Sequence, residues 1–208
     1  MSVTALTARM PGRSSRASAE RWLARSLARP RLLLALLAVY IPLYFVYFKN
    51  DEPFSIAHAR AACGQPVLDT RWSYSAAGVH SYLAACGAVG RRAIEHQQLA
   101  DLVYPALYAT VLTVIYALLL RAIRPQRQIW HSLIWLPIGV AALDYAENVG
   151  VWSQLAAYPA SARAVSVFST ITGAKQLLGT CSIAIVFILA VAAGFGSWRR
   201  HADDRRTS

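Results

Sequence analysis

The sequence predicts an all-α membrane protein with four transmembrane helices, and three observations support this fold class. First, 56% of the residues are hydrophobic and only 15% are charged, whereas soluble domains carry about 25% charged residues. Second, the chain contains four long apolar segments, and a helix needs roughly 17–25 residues to cross a bilayer. Third, nearly all of the basic residues are arginines, and they cluster at the ends of the apolar segments, as topology-determining residues do.

Each apolar segment is predicted to be a helix, because an isolated spanning segment must satisfy its own backbone hydrogen bonds. The fourth segment carries one charge, Lys175, within an apolar run that begins at Ala164. The predicted spans cover about residues 32–48, 102–120, 129–152 and 167–195. Together they form a four-helix transmembrane domain over residues 32–196, with a basic tail before it (1–31) and after it (197–208).

The distribution of basic residues predicts the orientation. Both tails and the connection between spans two and three hold 14 Lys and Arg residues, against six in the other two connections. The positive-inside rule therefore places both termini in the cytoplasm, and an even number of spans agrees. We expect a bacterial inner (plasma) membrane. A eukaryotic organelle membrane is the alternative, since the Arg-, Ser- and Ala-rich tail 1–31 also fits a transit peptide. No basic surface interleaved with aromatic residues is left over, so nucleic acid is not an expected partner.

The connection between spans one and two, residues 49–100, is long enough to fold. We predict an extracytoplasmic helical loop with two short helices at 74–86 and 88–100, broken near Gly87 and Gly90. Cys63 and Cys86 both lie in it. They either pair, if the compartment is oxidising, or are two small apolar residues, and the second reading is favoured.

Polar residues within the apolar segments are the candidate site. Asp144, Glu147 and Asn148 are spaced i, i+3 and i+4, which puts them on one face of span three. When depth is counted in residues from the outer end of each predicted span, polar groups from three different spans fall in one layer, in the outer half of the bundle. Charges at such depth face the bundle interior and find partners. The predicted cluster is Asp101, Tyr104, Asp144, Glu147, Asn148 and Lys175.

Two interpretations of this cluster stay open. In the first, Lys175 pairs with Asp144 or Glu147 and holds the helices in register. In the second, the cluster is a pocket under the loop with surplus negative charge, and Asp144 or Glu147 is an acid or base. His96 is a further candidate beside Asp101 and Glu147, but the spacing of these three is not diagnostic of a metal site. No metal and no cofactor are predicted.

The chain resembles a group of bacterial four-span integral membrane proteins over roughly residues 68–195. The motifs that carry the resemblance are Gly87-x-x-Gly90-Arg91, Asp101-x-x-Tyr104-Pro105, Asp144-Tyr145-x-Glu147-Asn148 and Lys175. In that group an aromatic residue often follows the lysine, where this chain has Gln176. The resemblance implies a four-helix membrane fold and no particular activity.

Function is predicted only in outline, because the usual nucleotide-binding, hydrolase and metalloprotease motifs are absent. The first hypothesis is a structural or binding protein whose buried charges hold the bundle and a small ligand or lipid. The second is a membrane-embedded enzyme acting on a lipid or quinone-like substrate, with Asp144 or Glu147 as acid or base. The third is a proton- or cation-coupled carrier. The expected partners are the lipid bilayer and either another membrane protein or further copies of this chain.

Overall fold

The computed structural model describes residues 18, 22, 26–125, 128–160 and 163–207, with 128 and 197–207 described by their backbone alone. The described part is helical and contains no strand. Its α-helices are α1 (Pro30–Phe48), α2 (Ile56–Cys63), α3 (Ala76–Ala100), α4 (Tyr104–Ile123), α5 (Leu136–Ala157) and α6 (Val165–Thr207). Two 3-10 helices, Leu68–Thr70 and Gln128–Trp135, lie before α3 and α5.

Four segments are long and apolar enough to cross a membrane: Pro30–Phe48, Ala76–Ile123, Ile129–Ala157 and Val165–Gly196. Large apolar side chains on α1 and α6, such as Phe45 and Phe187, are more than half exposed. On α1 only Tyr47 is buried by the protein. Lipid is the environment in which such surfaces are stable. The protein therefore has the predicted all-α membrane fold with four spanning helices.

Prolines decide where two of the spanning helices begin. Pro105 and Pro137 each lie in the first turn of their helix, α4 and α5. Proline is tolerated there because the missing N–H has no intrahelical partner, but further inside it would clash with the preceding turn. This explains why the third span, predicted as α-helix from residue 129, is a 3-10 helix up to Trp135. At the other end of the chain, α6 extends to Thr207 and includes most of the predicted tail 197–208.

Residues 49–100, which we call the cap, form a small folded unit on one end of the bundle. Its helices begin at two serine caps: Ser55 accepts a hydrogen bond from the His58 N–H, and Ser75 from the Gly78 N–H. Such caps satisfy N–H groups that the first turn leaves unpaired. Apolar side chains of the cap pack with Val151 of α5 and Val165 of α6. The ends of α5 and α6 therefore belong to the core of the cap.

A disulfide between Cys63 and Cys86 joins α2 to α3. The favoured reading of these residues as unpaired was wrong, because the fold of the cap, which the sequence pattern does not show, brings α2 against α3. Gly90 is needed for this approach, since a Cβ there would lie 2.8 Å from Cys86 Cβ and 3.0 Å from Cys63 Sγ. The predicted break lies at Gly87 alone, where φ is 60°.

Helices α4, α5 and α6 pack against one another, whereas α1 packs chiefly on α4. Two contacts show how closely the central helices approach. The Tyr116 hydroxyl of α4 donates to the Ser182 carbonyl of α6 at 2.8 Å. On α5, a Cβ at Gly150 would lie 2.5 Å from the Phe168 ring of α6. Because α1 packs chiefly on α4, a cleft remains between α1 and α6.

Candidate functional site

Lys175 of α6 is the centre of the site. Its Nζ lies 3.0 Å from Asp144 Oδ1 and also contacts Glu147 Oε2. It donates a third hydrogen bond to the backbone carbonyl of Asp69 at 3.3 Å. An ammonium has three N–H donors, so all three are used by the protein. The predicted face of α5 thus meets α6 through one lysine that pairs with two carboxylates.

Each of these two carboxylates accepts one more hydrogen bond. Asp144 lines a cleft in the protein, whereas Glu147 does not. Asp144 Oδ2 accepts from the Tyr108 hydroxyl of α4 at 2.9 Å. Glu147 Oε1 accepts from the Thr172 hydroxyl of α6 at 2.6 Å, and Glu147 has no exposed surface. The ion cluster therefore ties together α4, α5 and α6.

Asp101 and Asn148 join the site without touching Lys175. The Asn148 side chain donates to the backbone carbonyl of Asp101 at 3.1 Å. The Asp101 carboxyl accepts from the Tyr47 hydroxyl of α1 at 2.8 Å. Lys175 thus pairs with both of the acids predicted as its alternative partners, Asp144 and Glu147. Asp101 instead links α1 to the start of α4.

Asp69 belongs to the site and was not predicted. It lies in the short 3-10 helix of the cap, and its backbone carbonyl accepts from both Lys175 and Gln176. Its carboxyl Oδ2 accepts from the Gln97 amide at 3.2 Å, while Oδ1 receives no hydrogen bond from the described residues. Burial raises the pKa of the Asp69 carboxyl; Lys175 partly opposes this and Asp144 adds to it. No sequence signal distinguishes Asp69 from a solvated loop residue.

Gln97 of α3 joins the two parts of the site. Its amide N–H₂ donates to Asp69 Oδ2 and to the Tyr47 hydroxyl, the latter at 2.6 Å. Tyr47 in turn donates to Asp101. A continuous chain of hydrogen bonds therefore runs from the cap to α1. Gln97 and Tyr47 were also missed, because an amide and a tyrosine near a predicted membrane surface are unremarkable in a sequence.

Tyr104 contributes an aromatic ring beside the acidic residues. Its hydroxyl lies 3.1 Å from the Tyr40 hydroxyl, and its ring stacks on the Tyr47 ring with centroids 4.9 Å apart. These rings attach the cap end of α1 to α4. Tyr104 thus lies beside the charged residues without bonding to them.

A cleft of about 670 Å³ opens between α1, α4 and α6 and reaches the cluster. At its cap end it is lined by polar side chains, which include Asp69, Asp101, Asp144 and Lys175. Away from the cap its walls are mostly apolar: Leu37, Val111, Leu112, Ile115, Val140 and Ile183. Residues 176–196 of α6 have a length of about 32 Å, enough to cross the hydrocarbon core. The polar end therefore lies near one membrane surface, beneath the cap.

Two predicted candidates lie outside the cleft. His96 is exposed on α3, and neither His96 nor Glu147 lines the cleft. Within the described ranges, no three His, Cys, Asp or Glu side chains converge as a metal site would require. Asp144 is thus the candidate acid or base that a molecule in the cleft would meet.

The cluster holds more acidic than basic groups. We use the name acidic cluster for Asp69, Asp101, Asp144, Glu147 and Lys175, which hold four carboxyl groups and one ammonium. Such a surplus in a buried position is costly unless protons or a ligand reduce it.

The helices and the acidic cluster define the class: an all-helical protein with four membrane-spanning helices and a polar site beneath a disulfide-bonded cap. Comparison of the chain with protein-family models, curated proteins and solved structures gives no match.

Proposed function

We propose that this protein binds an amphipathic lipid, which enters the cleft between α1 and α6 from the bilayer. The observation that carries the proposal is the shape and polarity of the cleft: an apolar channel along α4 and α6 that ends at charged side chains under the cap. Ligand sites of this kind are mostly apolar, with a few polar groups that orient the ligand.

The size of the cleft supports one chain of a lipid or isoprenoid. Its volume of about 670 Å³ is within the roughly 300–1,000 Å³ that is usual for small-molecule sites. From Tyr104 to Ile115, which both line it, α4 rises by about 16 Å. A chain along this wall would place its polar end at Asp101, Asp144 and Lys175.

The proposed location is a bacterial inner membrane with both termini in the cytoplasm and the cap outside. The arginine distribution supports this orientation. The disulfide between Cys63 and Cys86 supports it independently, because disulfides persist mainly outside the cytosol. We also propose, from the motifs around Asp101 and Asp144, that the chain belongs with the bacterial four-span proteins it resembles.

The test is to block the cleft and count bound lipid. Gly179 lines the cleft, and a Cβ there would meet only Val140 Cγ1, at 3.8 Å. Gly179→Leu should therefore fold but fill the channel. Gly139→Leu is the matched control: Gly139 does not line the cleft, and a Cβ there meets nothing within 4 Å.

Native mass spectrometry of the three proteins, released from the same maltoside micelles, gives the result. We expect one tightly held lipid on the wild type and on Gly139→Leu, and at least a several-fold lower occupancy on Gly179→Leu. Equal retention by all three proteins would show that the cleft is not the lipid site.

A membrane enzyme acting on a lipid or quinone-like substrate is the second candidate, and the position of Asp144 favours it. Asp144 lines the cleft beside Tyr108 and Lys175, so it can exchange a proton with a bound molecule. If so, Asp144→Asn keeps the lipid but accumulates it unmodified. Mass spectra of the bound lipid that are the same for Asp144→Asn and wild type would count against an enzyme.

A further inference from the structure

We propose that the polar end of the bound molecule is cationic, an amine carried on an apolar chain. This inference rests on the proposed function, since it concerns the ligand of the same cleft.

The positive charge of Lys175 is already matched by the protein. Asp144 and Glu147 both pair with its ammonium. Lys175 reaches Asp69 only at the backbone carbonyl. Within the described part of the chain, the carboxyls of Asp69 and Asp101 have no ion-pair partner. In their ionised forms these carboxyls give the polar end a net negative charge, which an ammonium would reduce and an anionic head group would increase.

Two buried carboxyls that line the cleft accept few hydrogen bonds from the described residues. Asp69 is 6% exposed, and its Oδ1 receives no hydrogen bond from the described residues. Asp101 is 4% exposed, and its carboxyl accepts one hydrogen bond, from Tyr47. Buried carboxylates normally accept several. Both residues line the cleft. Asp69 Oδ1 is itself a buried atom, so Asp101 is the acid whose carboxyl a ligand that donates hydrogen bonds would meet first.

Three of the donors near these acids are already engaged. The Tyr47 hydroxyl donates to Asp101, and the Tyr108 hydroxyl donates to Asp144. The Gln97 amide donates to Tyr47 and Asp69. A phosphate or carboxylate ligand would find few donors to receive it. An ammonium needs only acceptors.

Aromatic rings at the same end suit a cation as well. Tyr40 and Tyr104 line the cleft, and Tyr104 stacks on Tyr47. The face of a tyrosine ring attracts an ammonium within about 6 Å of its centroid. The site thus places tyrosine rings beside carboxylates, a combination that suits an organic cation.

The experiment compares three probes with the same twelve-carbon chain: dodecylammonium, dodecanol and dodecyl phosphate. The affinity of each for the full chain in maltoside micelles is measured by thermophoresis, with the probe expressed as a mole fraction of the micelle. The variants are Asp101→Asn and Asp69→Asn. Glu52→Gln is the control, because it removes an exposed carboxylate of the cap that does not line the cleft.

We expect wild type and Glu52→Gln to prefer dodecylammonium over both other probes. Each Asn variant should reduce this preference about tenfold or more, as expected for the loss of a charge-assisted hydrogen bond. Equal affinities of wild type for the three probes, all abolished by Gly179→Leu, would overturn the cationic ligand and leave lipid binding intact. Affinities that Gly179→Leu does not change would overturn both. If one Asn variant does not fold, the probe series on wild type still decides.

Discussion

Replacing Lys175 by methionine tests whether the ion cluster holds the bundle together. Methionine keeps most of the length and apolar stem of lysine but removes the charge. In the structure, the Lys175 side chain is 12% exposed, and its partner Glu147 has no exposed surface. Glu147 would keep one hydrogen bond, from Thr172, and Asp144 one, from Tyr108. Two buried carboxylates would then lack a counter-charge.

Removing one member of a buried ion pair costs about 3–5 kcal/mol. For a chain of this size each kcal/mol lowers the melting temperature by about 2–4 °C, so we expect a decrease of roughly 6–20 °C. The assay is thermal unfolding of purified wild type and Lys175→Met in the same detergent and pH. Lys49→Met is the control, because Lys49 is the other lysine of the chain and is exposed.

A second variant separates charge from shape. Adding Asp144→Asn and Glu147→Gln to Lys175→Met removes the unpaired charges, and apolar or neutral replacement of a whole buried pair is often close to neutral. Most of the lost stability should return. An unchanged melting temperature of Lys175→Met, or a triple variant no better than the single one, would refute the assignment of Lys175 as the counter-charge of buried acids.

Three further predictions concern the cap. Gly90→Leu should lower stability by about 1–3 kcal/mol, because its side chain would displace Cys63 and Cys86; a melt equal to that of wild type would show that α2 and α3 can separate without cost. Reduction of the disulfide should cost about 2–4 kcal/mol, measured as the melting temperature with and without dithiothreitol, and a Cys63→Ala/Cys86→Ala variant should not respond to the reductant. Burial raises the pKa of Asp69 above its ordinary value, about 3.9. The folded state therefore favours the protonated form of Asp69. The resulting contribution to the free energy of unfolding is fully present below the ordinary pKa and is lost as the pH rises through the raised pKa. Across this pH range, the melting temperature of Asp69→Asn should fall less with rising pH than that of wild type. If the two melting temperatures change in parallel with pH, the raised pKa of Asp69 is contradicted.

The membrane class and the polar face of α5 could be predicted because both depend on local patterns. Hydropathy over about 20 residues is a property of the segment itself. The spacing of Asp144, Glu147 and Asn148 places them together on any α-helix. An acidic partner for Lys175 was one expectation from its apolar surroundings, but the depth of Lys175 along its 33-residue apolar run could not be fixed from the sequence.

The rest of the site depends on how the segments meet. Asp69 is one acid in a 52-residue loop, and only the packing of the cap onto α6 brings its carbonyl to Lys175. Tyr47 and Gln97 join through contacts across about 50 positions of chain. Such contacts leave no periodicity in the sequence. His96 was a candidate because of its position in the chain. It lies outside the site because its side chain is on the exposed face of α3.

The sequence by itself determined that the protein is helical, that it lies in a membrane and that charges interrupt two of its spans. These properties follow from composition and from one helical period, which act over short distances along the chain. Tertiary structure decided which acids pair with Lys175, that Cys63 is bonded to Cys86, and that a cleft separates α1 from α6. The physical reason is that a partner, a disulfide and a cavity each depend on distances between segments, and those distances are set by the packing of the whole bundle with its cap.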